Sequence, residues 1–587
     1  MKKERFVLAF FTGCLISAVS LQAQTGKDST KVARSYAINE VVVTGTRSET
    51  DVRHLPMTVS VVGRPQLEAS QQTSVLPVLN SQVPGFFSTS RGVMGYGVAT
   101  GASGQMSLRG IGGPAQAGLP TTGLLVLIDG HPQYMGLMGH PIADAYQTMM
   151  AERVEVLRGP ASVLYGSNAM GGVINIVTRK MQEDGIRTNI NIGAGSYGSI
   201  QTEATNRIRK GRFSSTVTAS YNRTDGHRAD MAFEQYGGYA KLGYDFTDNW
   251  KVWGDVNVTR FNATNPGSVM KPYIDNDQRI TRGMTSFALE NYYEKTSGAL
   301  SFFYNWGDHW INDGYQPGGE PLQYRFNSND QMLGVSWYQS VQLFQGNRLT
   351  VGADYFHFGG EAWNQFFDGH RETSANKSLN EVAGYVDFRQ DIAAWLTLDA
   401  GARVDYHSQT GTEFIPQVGL AFHLPENAEI KAMASKGFRN PTIREMYMFP
   451  PQNPDLKPEK LWNYEIGMKY FSSDYKFNLN AALFYIDWKD QQIFVMGMMG
   501  PGIKNAGDAH SLGGEMDLRW EFLPNLTYIL SAGYSHAEYY HNLDKSHEGN
   551  RIVMAPEFTG NTGFIYQKAV KTSCFRSFVA STTVTGF

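Results

Sequence analysis

The chain has 587 residues, with 51 Lys and Arg against 54 Asp and Glu, for a formal charge of −3. Such a balance gives no reason to expect nucleic acid or a strongly anionic surface as partner, and the length exceeds what one small core needs. With 62 Gly, 30 Tyr, 33 Phe, a hydrophobic content of only 42% and a mean hydropathy of −0.32, the composition suits a β-barrel whose strands are half polar.

Residues 1–23 read as a secretory signal peptide. Lys2, Lys3 and Arg5 precede the apolar run "FVLAFFTGCLISAVSL", and "LQAQ" offers cleavage after Ala23. A retained anchor, or a lipidated Cys14 in "FTGC", are the rival readings. Cys14 and Cys574 are the only cysteines, so the mature chain can form neither an internal disulfide nor a cysteine zinc cluster. Beyond the signal, no apolar run approaches the ~18 residues of a spanning helix.

Residues 24–49 form a flexible leader that ends in the extended, β-branched "EVVVTGTRSE". Residues 50–180 are rich in Gly and Pro, with short apolar strands in "TVSVV" and "LLVLIDG", the latter closing on an Asp129-Gly130 turn. The stretch "VEVLRGPASVLYGSNAMGGVINIVT" (154–178) has strand-like ends but encloses Gly159, Gly166, Gly171 and Gly172. Glycine weakens strands and helices alike, so its concentration here requires a reason.

From about 185 the texture becomes strict alternation. In "FSSTVTASY", Phe213, Ser215, Val217, Ala219 and Tyr221 share one face, and Ser214, Thr216, Thr218 and Ser220 the other. The pattern recurs at 240–246, 250–259, 382–388, 396–404, 477–485 and 526–534. Strands of this kind have one apolar and one polar face. A long series of them after a signal peptide fits an antiparallel transmembrane barrel with a polar lumen. A soluble sandwich would alternate too, and a propeller would repeat every ~40–50 residues, which this chain does not.

Several segments resemble the TonB-dependent outer-membrane receptors. "INEVVVTGTR" (38–47), "PMTVSVVGRPQL" (56–67), "SLRGIGG" (107–113), "GLLVLIDGHPQY" (123–134) and "ERVEVLRGPASVLYGSNAMGGVINIVTRK" (152–180) stand in that family's order. "GFRNPTIREMY" (437–447), "NPDLKPEKLWNYEIGMKY" (453–470) and "NAGDAHSLGGEMDLRW" (505–520) resemble its barrel segments. The resemblance implies an all-β-dominated fold. A mixed α/β plug (50–180) fills the lumen of a barrel (181–587) that has 22 strands in the family. About 18 are discernible here, with the C-terminus expected to be incomplete by about four strands. Within a filled lumen, glycine permits tight turns and close approach to the wall. "SFVASTTVTGF" at the end could supply a last strand, although its apolar face is thin.

The resemblance also implies function: active import of a scarce small ligand, with the inner-membrane protein TonB supplying the pull. Glu40, Val41, Val42, Val43 and Thr44 stand where the TonB box belongs, and an extended β-branched segment can add as a strand to a partner sheet. Arg109 and Arg158, in "LRG" and "LRGP", are placed to pair with wall glutamates, for which Glu465 and Glu515 are the candidates. A planar guanidinium suits such carboxylates.

For the ligand, "DGHPQYMGLMGHP" (129–141) brings His131, Tyr134, Met135, Met138 and His140 close in sequence, and "VMGMMG" adds Met496, Met498 and Met499. Thioether and imidazole together suit soft metals such as copper, although methionine also fills irregular cores. Siderophore, haem and cobalamin are the other metal chelates considered. The stretch 442–452 lacks a histidine, which disfavours haem. No cofactor is implied. Neither a G-x-S-x-G elbow nor an H-E-x-x-H helix occurs, so no enzyme is expected. The partners expected are TonB, the ligand and outer-membrane lipid, with the receptor a monomer. A passive porin, a non-transporting surface-binding barrel and a truncated receptor are the alternatives.

Overall fold

Alternation builds the larger part of the molecule. The computed structural model describes residues 41–42, 50–51, 55–97, 104–112, 122–449, 452–497, 500–570 and 573–585. The signal segment, Glu40, Val43, Thr44, Met498 and Met499 lie outside them.

Short strands come first: β1 (Val41–Val42), β2 (Thr50–Asp51), β3 (Thr58–Gly63), β4 (Phe86–Ser88), β5 (Met106–Leu108), β6 (Leu124–Ile128), β7 (His131–Pro132), β8 (Ala151–Arg158) and β9 (Gly172–Thr178). Helices α1 (Arg64–Ser70), α2 (Val75–Gln82) and α3 (Ser162–Tyr165) lie among them. A five-stranded sheet has the order β3-β8-β9-β6-β7, with β6 and β9 parallel. One face packs Val126, Ile128, Val154, Val156 and Ile174 under Leu67 and Leu79 of the helices. The other packs Leu125, Leu127, Leu157 and Val173 with Leu164 of α3. A strand buried on both faces reads as a continuous apolar run, which is why "LLVLI" does not alternate.

Long strands follow: β10 (Gly185–Gly195), β11 (Ser199–Lys210), β12 (Phe213–Thr224), β13 (Phe233–Asp245), β14 (Trp250–Thr264) and β15 (Asp277–Tyr292). Next come β16 (Thr296–Asn312), β17 (Tyr324–Val341), β18 (Asn347–Phe366), β19 (Arg371–Ala393), β20 (Leu396–His407) and β21 (Gly411–Leu424). The series ends with β22 (Ala428–Arg439), β23 (Glu459–Phe471), β24 (Phe477–Gly497), β25 (Gly500–Leu523), β26 (Leu526–Asn542), β27 (Phe558–Val570) and β28 (Ser573–Thr585). They form one 19-stranded antiparallel sheet in chain order. That is one strand more than the sequence discloses, and β28 comes from the stretch whose apolar face is thin. Among the described residues no pairing joins β10 to β28.

The sheet curls around the β3–β9 unit, which makes that unit a plug. Strand β20 shows the division of faces. Thr397, Asp399, Arg403, Asp405 and His407 are buried toward the plug, while Val404 and Tyr406 are exposed on the outer face. The same holds for "FSSTVTASY": Thr216 and Thr218 are buried, Phe213 and Val217 exposed. An outward apolar face belongs against lipid and a paired backbone leaves no polar group unsatisfied there.

Candidate functional site

Plug and wall meet at charged contacts on opposite sides. Arg109 follows β5 at a turn residue with φ 57° and is fully buried. Its Nε and Nη2 donate to the two oxygens of Glu515 at 3.0 and 2.9 Å. Its Nη1 donates to Glu465 Oε2. Arg158, at the end of β8, donates from Nη1 to Glu515 Oε2 at 2.9 Å and pairs with Asp517 at 3.3 Å. The four residues singled out in the sequence therefore form one cluster. It unites the plug with β23 and β25, and Glu515 is shared by both arginines.

Three further participants carry no sequence signal of their own. The Phe484 ring lies 4.6 Å from the Arg109 guanidinium. Ser511 Oγ donates to the Arg109 carbonyl at 2.7 Å, and Thr58 Oγ1, at the start of β3, donates to Glu465. Asp517 could have been found, since it lies two residues from Glu515 on the same strand face. Burial works against the charged Arg109 guanidinium, but the Glu465 and Glu515 carboxylates outweigh it and hold it above its ordinary value.

Across the lumen, Lys241 of β13 reaches Asp129 at 2.7 Å and lies 3.8 Å from the centre of the Trp253 ring. Asp129 also accepts from Thr178 Oγ1 at 2.6 Å. Burial would raise the Asp129 carboxyl, but Lys241 and the Thr178 bonds hold it below its ordinary value. At Gly166 the plug touches β20: a Cβ there would lie 2.9 Å from Arg403 Nη2, and φ is +73°. Only glycine meets both demands without strain.

The loop after β7 is seated in the wall. Gly136 N–H donates to Asp330 Oδ1 at 2.9 Å, and the Leu137 carbonyl accepts from Arg444 N–H at 3.0 Å. His131 packs its ring 5.3 Å from Phe303 and 5.9 Å from Trp253. Met135 is buried with Phe233, Phe261 and Ile280. Met138 lies against that cluster and against the one around Leu137, Phe326 and Phe358. Tyr134 meets Phe358 edge-on at 6.3 Å, and burial beside Glu381 and Asp405 pushes its hydroxyl well above the ordinary tyrosine value. His140 places Nδ1 2.8 Å from the Pro141 carbonyl. Met496 lies in β24 opposite Pro501. Met135 and Met138 thus share one apolar cluster, while the His131 ring lies against Trp253 and Phe303. Among the described residues, no three or more His, Cys, Asp or Glu are placed to hold a metal ion.

Two buried plug groups titrate in opposite senses. Burial lifts Asp144 to about 6, although the Gly97 and Tyr96 N–H groups and Arg91 oppose it. Burial lowers His140 to about 4. A raised acid stabilises the fold fully below its unfolded value of 3.8 and ceases to as pH rises through about 6. A lowered histidine does the reverse: its contribution is present above 6.5 and disappears as pH falls through about 4. Asp144→Asn should therefore leave a plug that gains stability from pH 4 to 6.5, whereas His140→Gln should leave one that loses it. Urea unfolding midpoints of the plug across that range will tell, and parallel curves for the two variants would be incompatible with this assignment.

Comparison with known proteins agrees with this architecture. The sequence profile described as "TonB-dependent Receptor Plug Domain" matches residues 51–173, and "TonB dependent receptor-like, beta-barrel" matches residues 197–582. An iron-regulated outer membrane virulence protein of Vibrio cholerae is 27% identical over 494 residues, which is 77% of this chain and 69% of that protein. A vitamin B12 transporter of Photobacterium profundum is 24% identical over 478 residues, 80% of this chain and 71% of that protein. Among solved structures, the ferric yersiniabactin uptake receptor of Yersinia pestis superposes with a TM-score of 0.72 at 18% identity, covering 90% of this chain and 86% of its own. A copper transporter gives 0.72 at 16% identity, covering 87% and 82%. Plug profile, wall profile and the curled sheet around a charged plug place this chain in the family of TonB-dependent receptors of the Gram-negative outer membrane.

Proposed function

We propose that the chain imports a scarce metal chelate, of the ferric siderophore class, across the outer membrane, driven by traction from TonB on residues 40–44. The observation that carries this reading is the Arg109–Arg158–Glu465–Glu515 cluster, a buried ionic attachment between a plug and the wall around it. Such a cluster resists thermal release yet can yield to a directed pull, because a buried ion pair loses most of its attraction once separated and wetted. The leader supports it from the other side: β3, the first strand in chain order of the five-stranded plug sheet, begins at Thr58, which touches Glu465.

The outer opening favours an anionic, partly aromatic ligand. Arg444 lies 5.7 Å from the Phe449 ring and Lys377 5.0 Å from the Tyr447 ring. Arg91 is buried next to Gly92, which faces His227 and Met231, and its guanidinium has no hydrogen-bond partner among the described residues. Such cations suit a negatively charged chelate. The likeness to siderophore receptors supports the same class, as does the iron-regulated relative.

Cells that depend on this receptor for a labelled chelate provide the test, with ferric siderophores, haem, cobalamin and copper compared. Deleting residues 40–44 is expected to abolish accumulation while leaving surface binding intact, and a protonophore should do the same. Accumulation that survives both treatments would make the chain a passive pore.

A further inference from the structure

The outer face of β16–β19 carries a second cavity, whose floor reaches Asp330, the wall residue that holds the plug loop from the other side. Its position follows from the strand register. Phe302, Val335, Tyr355 and Val382 stand side by side across the four strands on the outward, lipid-facing side. Two rungs nearer the outer end, the row is Trp306, Gln331, Gly359 and Ser378. The next outward row is Asp308, Asn329, Glu361 and Asn376. The face therefore changes from apolar to amide and carboxylate within a few rungs. Outward is the loop end: residues 293–295 join β15 to β16 at the far end, whereas the eleven residues 313–323 join β16 to β17 at the end nearer Asp308.

At this transition the wall holds a cavity of about 630 Å³, within the ~300–1,000 Å³ range of small-molecule sites. Trp306 and Tyr304 stack in it, with centroids 5.8 Å apart and an interplanar angle of 18°. Glycine at 283, opposite Trp306 in the register, lets the indole lie against the wall, since a Cβ there would fall 2.0 Å from the ring. Gly359 leaves the middle of the row without a side chain: a Cβ would fall 2.2 Å from the Lys377 carbonyl. The polar groups are pre-arranged. Tyr304 Oη donates to Gln331 Oε1 at 3.1 Å. In the orientation its neighbours require, the Asn329 amide donates to Asp308 Oδ1 at 2.9 Å. Glu361 is held by Arg371.

We propose that this cavity binds the sugar headgroup of a glycolipid in the outer leaflet. An aromatic platform takes the C–H face of a sugar ring, and carboxylate and amide oxygens accept from its hydroxyls. A bare phosphate is disfavoured, because Asp308 and Glu361 face it, the nearby Arg371 is already paired, and Lys377 of the lining places its ammonium over the Tyr447 ring. A membrane-borne rather than soluble sugar follows from continuity: the site opens sideways from the wall directly above the apolar band, at headgroup height, where aromatic girdles lie. The assignment is independent of the transported ligand.

The experiment uses the full chain in phosphatidylethanolamine nanodiscs with or without dephosphorylated lipid A, an acylated glucosamine disaccharide, followed by native mass spectrometry. The wild type is expected to retain the glycolipid. Trp306→Ala, and Ser378→Trp which fills the cavity from β19, are expected to lower retention about tenfold, and Trp310→Ala on the same strand to leave it unchanged. Equal retention by all four proteins, or none above the phospholipid background, would overturn the proposal. Displacement of the dephosphorylated lipid A by an equal concentration of free glucosamine disaccharide would overturn the membrane source; resistance to it supports that source. Unchanged migration of unboiled samples on detergent gels confirms that each variant is folded.

Discussion

Glu515→Ala will detach the plug from the β23–β25 side of the wall. Glu515 accepts three bonds, two from Arg109 and one from Arg158. Removing it leaves two buried guanidinium groups with one carboxylate each, Glu465 for Arg109 and Asp517 for Arg158. Breaking a buried pair by deleting one partner costs about 3–5 kcal/mol, because the surviving charge stays desolvated. Glu465→Ala should cost less, since Arg109 keeps both bonds to Glu515 and only the Thr58 contact is lost besides. The combined variant should be less damaging than the sum, as residues of one network are not additive. Protease cleavage of the plug and its urea midpoint, measured with the barrel still folded, give the readout. A Glu515→Ala plug within about 0.5 kcal/mol of wild type would show that the cluster holds nothing together.

Gly136→Ala is the second large effect. A Cβ at this position would lie 2.3 Å from the Gln331 carbonyl oxygen, with Gly359 O at 2.7 Å and Gly359 N at 2.9 Å. All three are backbone atoms of β17 and β18, so no rotamer change relieves the clash. The loop would have to withdraw, giving up the Gly136–Asp330 bond and the burial of Leu137. Overpacking of this kind costs about 1–3 kcal/mol or more. We expect ligand binding to fall sharply while the barrel still forms. Gly130→Ala is the control: nothing lies within 4 Å of its Cβ, and only the φ of +84° opposes it. If both variants bind ligand alike, the seat of the loop is irrelevant to recognition.

How far the sequence reveals this molecule depends on the range of the forces involved. Alternation is a property of neighbouring residues, so Thr216 against Val217, or Arg403 against Val404, declares the two faces of a wall strand without any tertiary knowledge. The doubly buried β6 and β9 were legible only as short apolar runs between turns, because they lack a polar face. Arg109 and Glu465 lie 356 positions apart, and no periodicity links them; the resemblance to the family supplied that pairing. Thr58 and Phe484 could not be found at all, since a threonine or phenylalanine beside an arginine is invisible until the chain is folded. Nearness in sequence also misleads. His131 and Met135 are four positions apart, yet one sits by Trp253 and Phe303 and the other with Phe233 and Phe261. Packing of apolar surface decides that separation.

The charged attachments have a mechanical meaning. Lys241 of β13 holds Asp129 and Glu203 of β11 pairs with Arg179 at 3.7 Å, while the arginine cluster is held from β23 and β25, roughly half the sheet away. A body moored at opposite points does not leave its housing by translation when one mooring parts. It swings about the other. Loss of the arginine side alone would thus hinge the plug on Asp129 and open a crescent along β23–β25, wide at that wall and closed at β13.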